Sequence, residues 1–200
     1  MEALALLQKD HEAVKKLFTR FESARGAKKA IADRVIFELS VHAAVEEQLF
    51  YPSLRAAAEA AEIEEADEKV LEALEEHRVA KLLLAELEGM DEDNERFEAK
   101  MSVLMETVKH HIKEEEGPLF RFARRLLPKA QRDLLGAAMQ EAKKAAPTRP
   151  HPRAPDEPPG NLIAGPVAAV IDRGRDLMRN FASQAMARAR KESATTAHPE

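Results

Sequence analysis

The sequence predicts an all-α protein: an up-down-up-down antiparallel four-helix bundle, then a Pro-rich linker and a C-terminal amphipathic helix. Three observations carry that expectation. The 200-residue chain has one Tyr and no Trp, and abundant Ala, Leu, Glu, Lys and Arg, a composition suited to helices. Apolar residues recur at alternating steps of three and four through four long segments. The turns between those segments are short, which makes neighbours antiparallel. With 44% hydrophobic and 34% charged residues, the chain suffices for one domain with a real core and an appendage.

The first segment runs from about Leu4 to Ala24 and ends near Gly26, with Leu4, Leu7, His11, Val14, Phe18 and Phe21 on one seam. The second runs from about Lys28 to Ala60, and Pro52 is expected to bend or break it near its end. Its seam holds Ile31, Val35, Leu39, His42, Glu46 and Leu49. The third, about Glu62 to Glu88, stops at Gly89 before the acidic loop DEDNE, and its seam holds Val70, Leu74, His77, Leu84 and Leu87. The fourth, about Arg96 to Leu127, is interrupted at Gly117–Pro118. There Leu104, Val108, His111 and Glu115 face in, while His110 aligns with Glu106 and Glu114 and faces out.

Residues 129–146 add a short fifth helix, so the bundle domain is read as 1–146 with its core at 4–127. Residues 147–165 form the linker, six of the eleven prolines falling in 147–160. Within 166–200 an amphipathic helix is expected from about Val167 to Lys191, with Ile163, Val167, Val170, Leu177, Phe181 and Ala185 on one face, ahead of a disordered end. It carries six basic residues from Arg173 to Lys191 against one acid, Asp176. Packing on the bundle or on a second copy is the expected role, with peripheral membrane contact as the alternative.

Several classes of function fall away. Without cysteine there are no disulfides, thiolate metal sites or Cys nucleophiles. The N-terminus, MEALALLQKDHE, has neither a basic start nor a long apolar run, so no signal peptide is read there. No apolar stretch approaches the roughly 18 residues needed to span a bilayer, and a cytoplasmic location is expected. A net charge of −5 argues against a general nucleic-acid binder.

What remains is a polar layer in an apolar seam. His11, His42, His77 and His111 each sit mid-seam on a different segment, joined by Glu46 and Glu115. Ionised carboxylates inside a core are expensive without a partner, and a metal cation supplies one. Depths agree as well: His11 lies about 13 residues before the end of the first helix and His42 about 14 after the start of the second, at ~1.5 Å per residue. Glu46 and His77 match around the second turn in the same way. Imidazole with carboxylate suits iron or another transition metal better than calcium or magnesium. The Glu-x-x-His pairs of ferritin-like bundles are absent, since Gln8, Leu39, Leu74, Thr107 and Val108 stand three residues before the bundle histidines.

The order H, HxxxE, H, HxxxE, present as DHEAV, HAAVEEQLFYP, EEHRVAKLL and HHIKEEEGPLF, resembles the hemerythrin-like (HHE cation-binding) family over about residues 4–127. The resemblance implies two non-haem iron ions held by His11, His42, Glu46, His77, His111 and Glu115, bridged by the two glutamates and an oxo or hydroxo group. It further implies a protein that binds or senses O2, NO or peroxide. The alternatives are a di-iron enzyme that decomposes H2O2 or oxidises Fe2+, and a protein that buffers or delivers iron. Oxygen-carrying members have a fifth histidine one turn before the third-helix ligand, where this chain has Ala73, so one iron is expected to keep an open or solvent-filled position. Glu116 stands beside Glu115 where the family often places its final carboxylate. Glu47, Glu114 and Glu116 read as solvated neighbours, and Asp10 as an exposed acid whose alternative role is to orient a ligand. Tyr51 lies close to Glu46 but about half a turn out of phase with His42, so it is not expected as a direct ligand; Pro52 beside it leaves Tyr51 as the alternative to solvent at the open iron position.

Overall fold

Four amphipathic periods become four helical rods in the computed structural model, which describes residues 1–152. The first rod is α1 (Ala3–Ser23). The second joins α2 (Lys28–Val45) to α3 (Tyr51–Ala60) through a π turn at Glu46–Phe50. The third is α4 (Glu64–Glu88), whose first turn carries Glu64, Glu65 and Asp67 against the positive end of the helix dipole. The fourth joins α5 (Phe97–Glu114) to α6 (Phe120–Leu126) through a second π turn, Glu115–Leu119. Packing α1 on α2, α2 on α4, α4 on α5 and α5 on α1 closes the ring of a four-helix bundle. Among the described residues there is no strand, and no helix is long and apolar enough to cross a membrane.

The two expected interruptions take a specific form. A proline inside an α-helix lacks a donor for the carbonyl four residues back and crowds it. At Pro52 and Pro118 the helix does not break; it widens for one turn, so that the Tyr51 N–H bonds to the Glu46 carbonyl and the Phe120 N–H to that of Glu115. The extra residue in each turn rotates everything beyond it relative to an ideal helix.

Two apolar clusters fill the bundle. One end holds Leu4, Leu7, Leu49, Phe50, Leu54, Val70 and Phe120. The other holds Val14, Phe18, Phe21, Val35, Leu84, Phe97, Met101 and Leu104. Each fully buried Leu or Phe contributes about 1.5–3 kcal/mol, so these clusters carry the stability and the polar layer between them is tolerated.

The expected fifth helix is α7 (Lys129–Ala142), closing the first cluster with Leu135, Met139 and Ala142. It lies against the start of α1 so closely that a Cβ on Gly136 would stand 2.6 Å from the Ala3 nitrogen. Beyond it, Pro150 is buried and Arg149 pairs with Glu88. The rest of the expected linker and the whole tail helix lie outside the described residues.

Candidate metal centre

One layer at mid-bundle receives a side chain from every rod. His11 and His42 bring their Nε2 atoms to 3.1 Å, and His77 and His111 to 3.2 Å. Glu46 Oε2 lies 3.1 Å from His42 Nε2 and 3.4 Å from His77 Nε2. Glu115 Oε2 lies 3.1 Å from His11 Nε2 and 4.0 Å from His111 Nε2. Each glutamate therefore reaches across from one histidine pair to the other. The six residues are at most 6% exposed, and both glutamates are at 0%. All six were the residues expected from the sequence to face inward, and the fold brings them together.

The Nδ1 atoms show what the Nε2 atoms must be doing. His11 Nδ1 meets Glu116 at 2.8 Å, His42 Nδ1 meets Asp10 at 3.4 Å, His77 Nδ1 meets Glu47 at 3.0 Å, and His111 Nδ1 meets Glu76 at 2.8 Å. A carboxylate only accepts, so in a neutral imidazole the hydrogen sits on Nδ1 and Nε2 is left as a bare lone pair. Two lone pairs about 3.1 Å apart repel unless a positive charge, a proton or a metal ion, lies between them. All four oxygens of Glu46 and Glu115 are likewise buried without a hydrogen-bond partner. Buried polar atoms are rarely left so, and these four lie in one layer. Donors of His11, His42, Glu46 and Glu115 form one group within 4.8 Å of one another, and those of Glu46, His77 and His111 form a second. The donor set suits transition-metal cations, and Glu46 belongs to both groups.

Around this layer runs a ring of acids, and here the structure corrects the sequence reading. Glu47 is buried and binds Lys81 through both oxygens, at 2.8 and 2.9 Å. Glu116 is half-buried, with Lys15 at 3.5 Å. Asp10 is turned in toward His42 and meets Lys143 at 2.5 Å. Glu76, which the sequence did not single out, meets the exposed His110 at 3.4 Å. Helical phase had made Asp10, Glu47 and Glu116 solvated, because phase within one helix is blind to the neighbour that covers it. Glu114 is half-exposed near Lys69 and does not touch the histidines. His110 faces out, as its phase predicts.

Tyr51 is the second correction. It is buried, and its hydroxyl lies 3.3 Å from His77 Nε2. The π turn supplies the missing rotation, and the small Ala73 belongs to the same buried cluster. Phe120, at the matching place after the other π turn, stacks on His11 at 6.3 Å.

Electrostatics without a cation show the strain of this arrangement. Burial and the Glu115 charge hold Glu46 well above the usual carboxylate range, so it keeps its proton. Burial also pushes Glu115 up, but the close approach and charge of His11, aided by His111 and His42, outweigh it and hold Glu115 low. Burial depresses His42 to about 4 and also lowers His77. His11 is lowered by burial, yet Glu115 and Glu116 more than reverse that and raise it. The upward shifts of Glu46 and His11 both favour added positive charge in the layer. For Tyr51, burial and the surrounding carboxylates push the phenol well above its usual value, so it remains an O–H donor.

A cavity of about 30 Å³ adjoins the layer on the side away from Tyr51. Apart from the four histidines it is lined mainly by apolar groups, among them Val14, Leu39, Leu84, Val108 and Ile112. Only Glu76, Ala80 and Thr107 among its lining residues are not fully buried, which puts its mouth at the seam of α4 and α5. Space of this size admits about one water-sized molecule or a diatomic.

Comparison with known proteins agrees with this geometry. The hemerythrin HHE cation-binding domain matches residues 2–123. An uncharacterized hemerythrin-like protein of Schizosaccharomyces pombe is 30% identical over 175 residues, covering 86% of this chain and 84% of that protein. In fold the chain is similar to a hemerythrin HHE cation-binding domain-containing protein from Mycobacterium kansasii, with a TM-score of 0.57 and 22% identity over 72% of this chain and 88% of the other.

Proposed function

The chain belongs to the hemerythrin HHE cation-binding domain family, and we propose that its polar layer holds two non-haem iron ions that bind or sense O2, NO or peroxide. His11 and His42 would hold one ion and His77 and His111 the other, with Glu46 and Glu115 shared between them. The observation that carries this reading is the convergence of four imidazole Nε2 atoms and four unpartnered carboxylate oxygens in one buried layer beside the small apolar cavity. Iron bound there would supply one-electron redox chemistry and affinity for a small ligand. The carboxylate ring fixes the imidazoles with Nε2 inward, and the cavity excludes anything much larger than a diatomic or peroxide. The bundle domain is read as residues 1–146, with the tail as an appendage.

A second reading, breakdown of H2O2 at the same layer, is favoured by Tyr51. Its hydroxyl, which burial keeps from ionising, lies 3.3 Å from His77 Nε2 and would offer a hydrogen-bond donor next to an ion held by that histidine.

Protein from iron-rich medium is expected to hold close to two irons per chain, with near-ultraviolet absorption that changes on adding O2 to the reduced protein or NO or peroxide to the appropriate state. One zinc per chain and no iron, or iron spectra indifferent to all three ligands, would sink the proposal. Oxygen evolution from H2O2 separates the second reading from the first.

A further inference from the structure

Three of the four Nδ1 carboxylates find their second partner within the bundle rods: Lys15 on α1, Lys81 on α4 and the His110 ring on α5. The fourth does not. Asp10, which orients His42, is paired with Lys143, immediately after α7 and beyond the residues matched by the family domain. We propose that α7 is a positioning element of the metal centre, holding His42 in its ligating orientation through Lys143 and Asp10.

The geometry of this link is specific. Asp10 uses one oxygen for each neighbour: Oδ1 accepts from Lys143 Nζ at 2.5 Å and Oδ2 from His42 Nδ1 at 3.4 Å. With both oxygens engaged, Lys143 sets the plane of the carboxylate and so the direction in which the imidazole hydrogen points. A ring fixed at Nδ1 has its Nε2 fixed too, aimed at His11 Nε2 and Glu46. Lys143 is itself placed by close packing further back. Gly136 has no room for a Cβ against the backbone of Met1–Ala3, so α7 is locked to the start of α1 at that point. Ala3 to Asp10 and Gly136 to Lys143 are equal steps of about two helical turns, roughly 10 Å, so the two helices run alongside in one direction with matched ends. Arg132, paired with Glu2 and donating to the Leu127 carbonyl at 2.6 Å, fixes the same register a turn earlier.

The inference rests on the metal reading above, and its test keeps the two apart. Full-length Lys143→Met, Lys143→Arg and Asp10→Asn are compared with the wild type. Metal release to a chelator is measured on the iron-loaded proteins, and imidazole 15N spectra on the zinc-loaded and metal-free proteins. Lys143→Met and Asp10→Asn are expected to release metal about tenfold faster, the lower end for partners that orient metal ligands. The His42 Nδ1–H signal should weaken in both, even without metal, while metal-free melting stays within a few degrees. Lys143→Arg keeps the cation and should restore both readouts. Wild-type release rates and an unchanged His42 signal in Lys143→Met and Asp10→Asn would overturn the positioning role while leaving the metal reading intact. A wild type that takes up no metal would end both, the first by its metal content alone.

Discussion

Residues 10–15, DHEAVK, and 76–81, EHRVAK, place an acid, an imidazole and a lysine at the same steps on two different rods. HAAVEE at 42–47 and HIKEEE at 111–116 repeat a second pattern, and each is followed by a π turn. The site is thus assembled from two like halves, α1 with α2 and α4 with α5, crossing over through Glu46 and Glu115. Their surroundings differ. Glu47 and the Lys81 side chain are 5% and 11% exposed, whereas Glu116 and Lys15 are 28% and 37% exposed. Tyr51 faces His77, but its counterpart facing His11 is Phe120. Identical spacing therefore does not give identical worth: one half is sealed and has a phenol, while the other touches water and has a hydrocarbon ring.

The shared carboxylates give the largest expected effect. If the halves are joined through them, Glu46→Gln or Glu115→Gln loses both ions rather than one, and His42→Ala does the same. Removing His42 from the loaded protein also leaves buried charge uncompensated, at about 3–5 kcal/mol of stability. Metal analysis with calorimetry checks this. One ion retained at full occupancy in Glu46→Gln would show that the halves bind independently.

Dependence on pH comes next. Glu46 has a raised pKa, so its contribution to metal-free stability is present below about 4.5 and is lost as pH rises through its folded value. His11 is also raised and acts in the same sense, losing its contribution as pH climbs. His42, depressed to about 4, and His77, also depressed, act oppositely, weakening the fold as pH falls below the ordinary imidazole range. A metal ion displaces the protons on Glu46 and His11, so affinity should rise with pH by about tenfold per unit for each proton released. The gap in melting temperature between loaded and metal-free protein should widen from pH 5 to 8. Calorimetric titration in buffers of different ionisation heat counts the protons. A pH-independent affinity would mean that Glu46 is already ionised without metal.

The inner layer was legible in the sequence because burial and helical phase carry the same signal: His11 falls between Leu7 and Val14, and Glu46 between His42 and Leu49. The outer ring was not. With 36 acids in 200 residues, an acid one step from a ligand is unremarkable, and nothing in one helix says which neighbour will cover it. Tyr51 was misread for a different reason, since a π turn cannot be counted at 3.6 residues per turn. Yet a signal was available. The repeat of DHEAVK in EHRVAK and of HAAVEE in HIKEEE marks Glu47, Glu116, Lys15 and Lys81 as paired features, and a proline shortly after each HxxxE marks the π turns.

The two lysines offer a sharper comparison at smaller scale. Lys81→Met leaves the buried Glu47 without its cation, with only His77 Nδ1 against it, and should cost about 3–5 kcal/mol. Lys15→Met exposes a carboxylate already in contact with water and should cost about 0–1 kcal/mol. Denaturant unfolding of the metal-free proteins measures both. Equal losses would mean that burial does not distinguish the halves.

The smallest effect should belong to His110, which touches the outer ring only from the surface. Glu76 already has a partner in His111 Nδ1 at 2.8 Å, and His110 stands further off, at 3.4 Å, with its side chain 61% exposed. Solvent can take over what His110 does for Glu76, as it cannot for Lys81 and Glu47. His110→Ala is therefore expected to keep full metal occupancy and to change stability by less than about 0.5 kcal/mol, as for surface positions generally. Metal analysis and unfolding of this variant beside His111→Ala set neighbouring histidines against each other. The latter should lose metal and the former should not. Metal loss from both would show that Glu76 depends on His110 as Glu47 depends on Lys81, and that the α4–α5 half is held as tightly at its surface as in its interior.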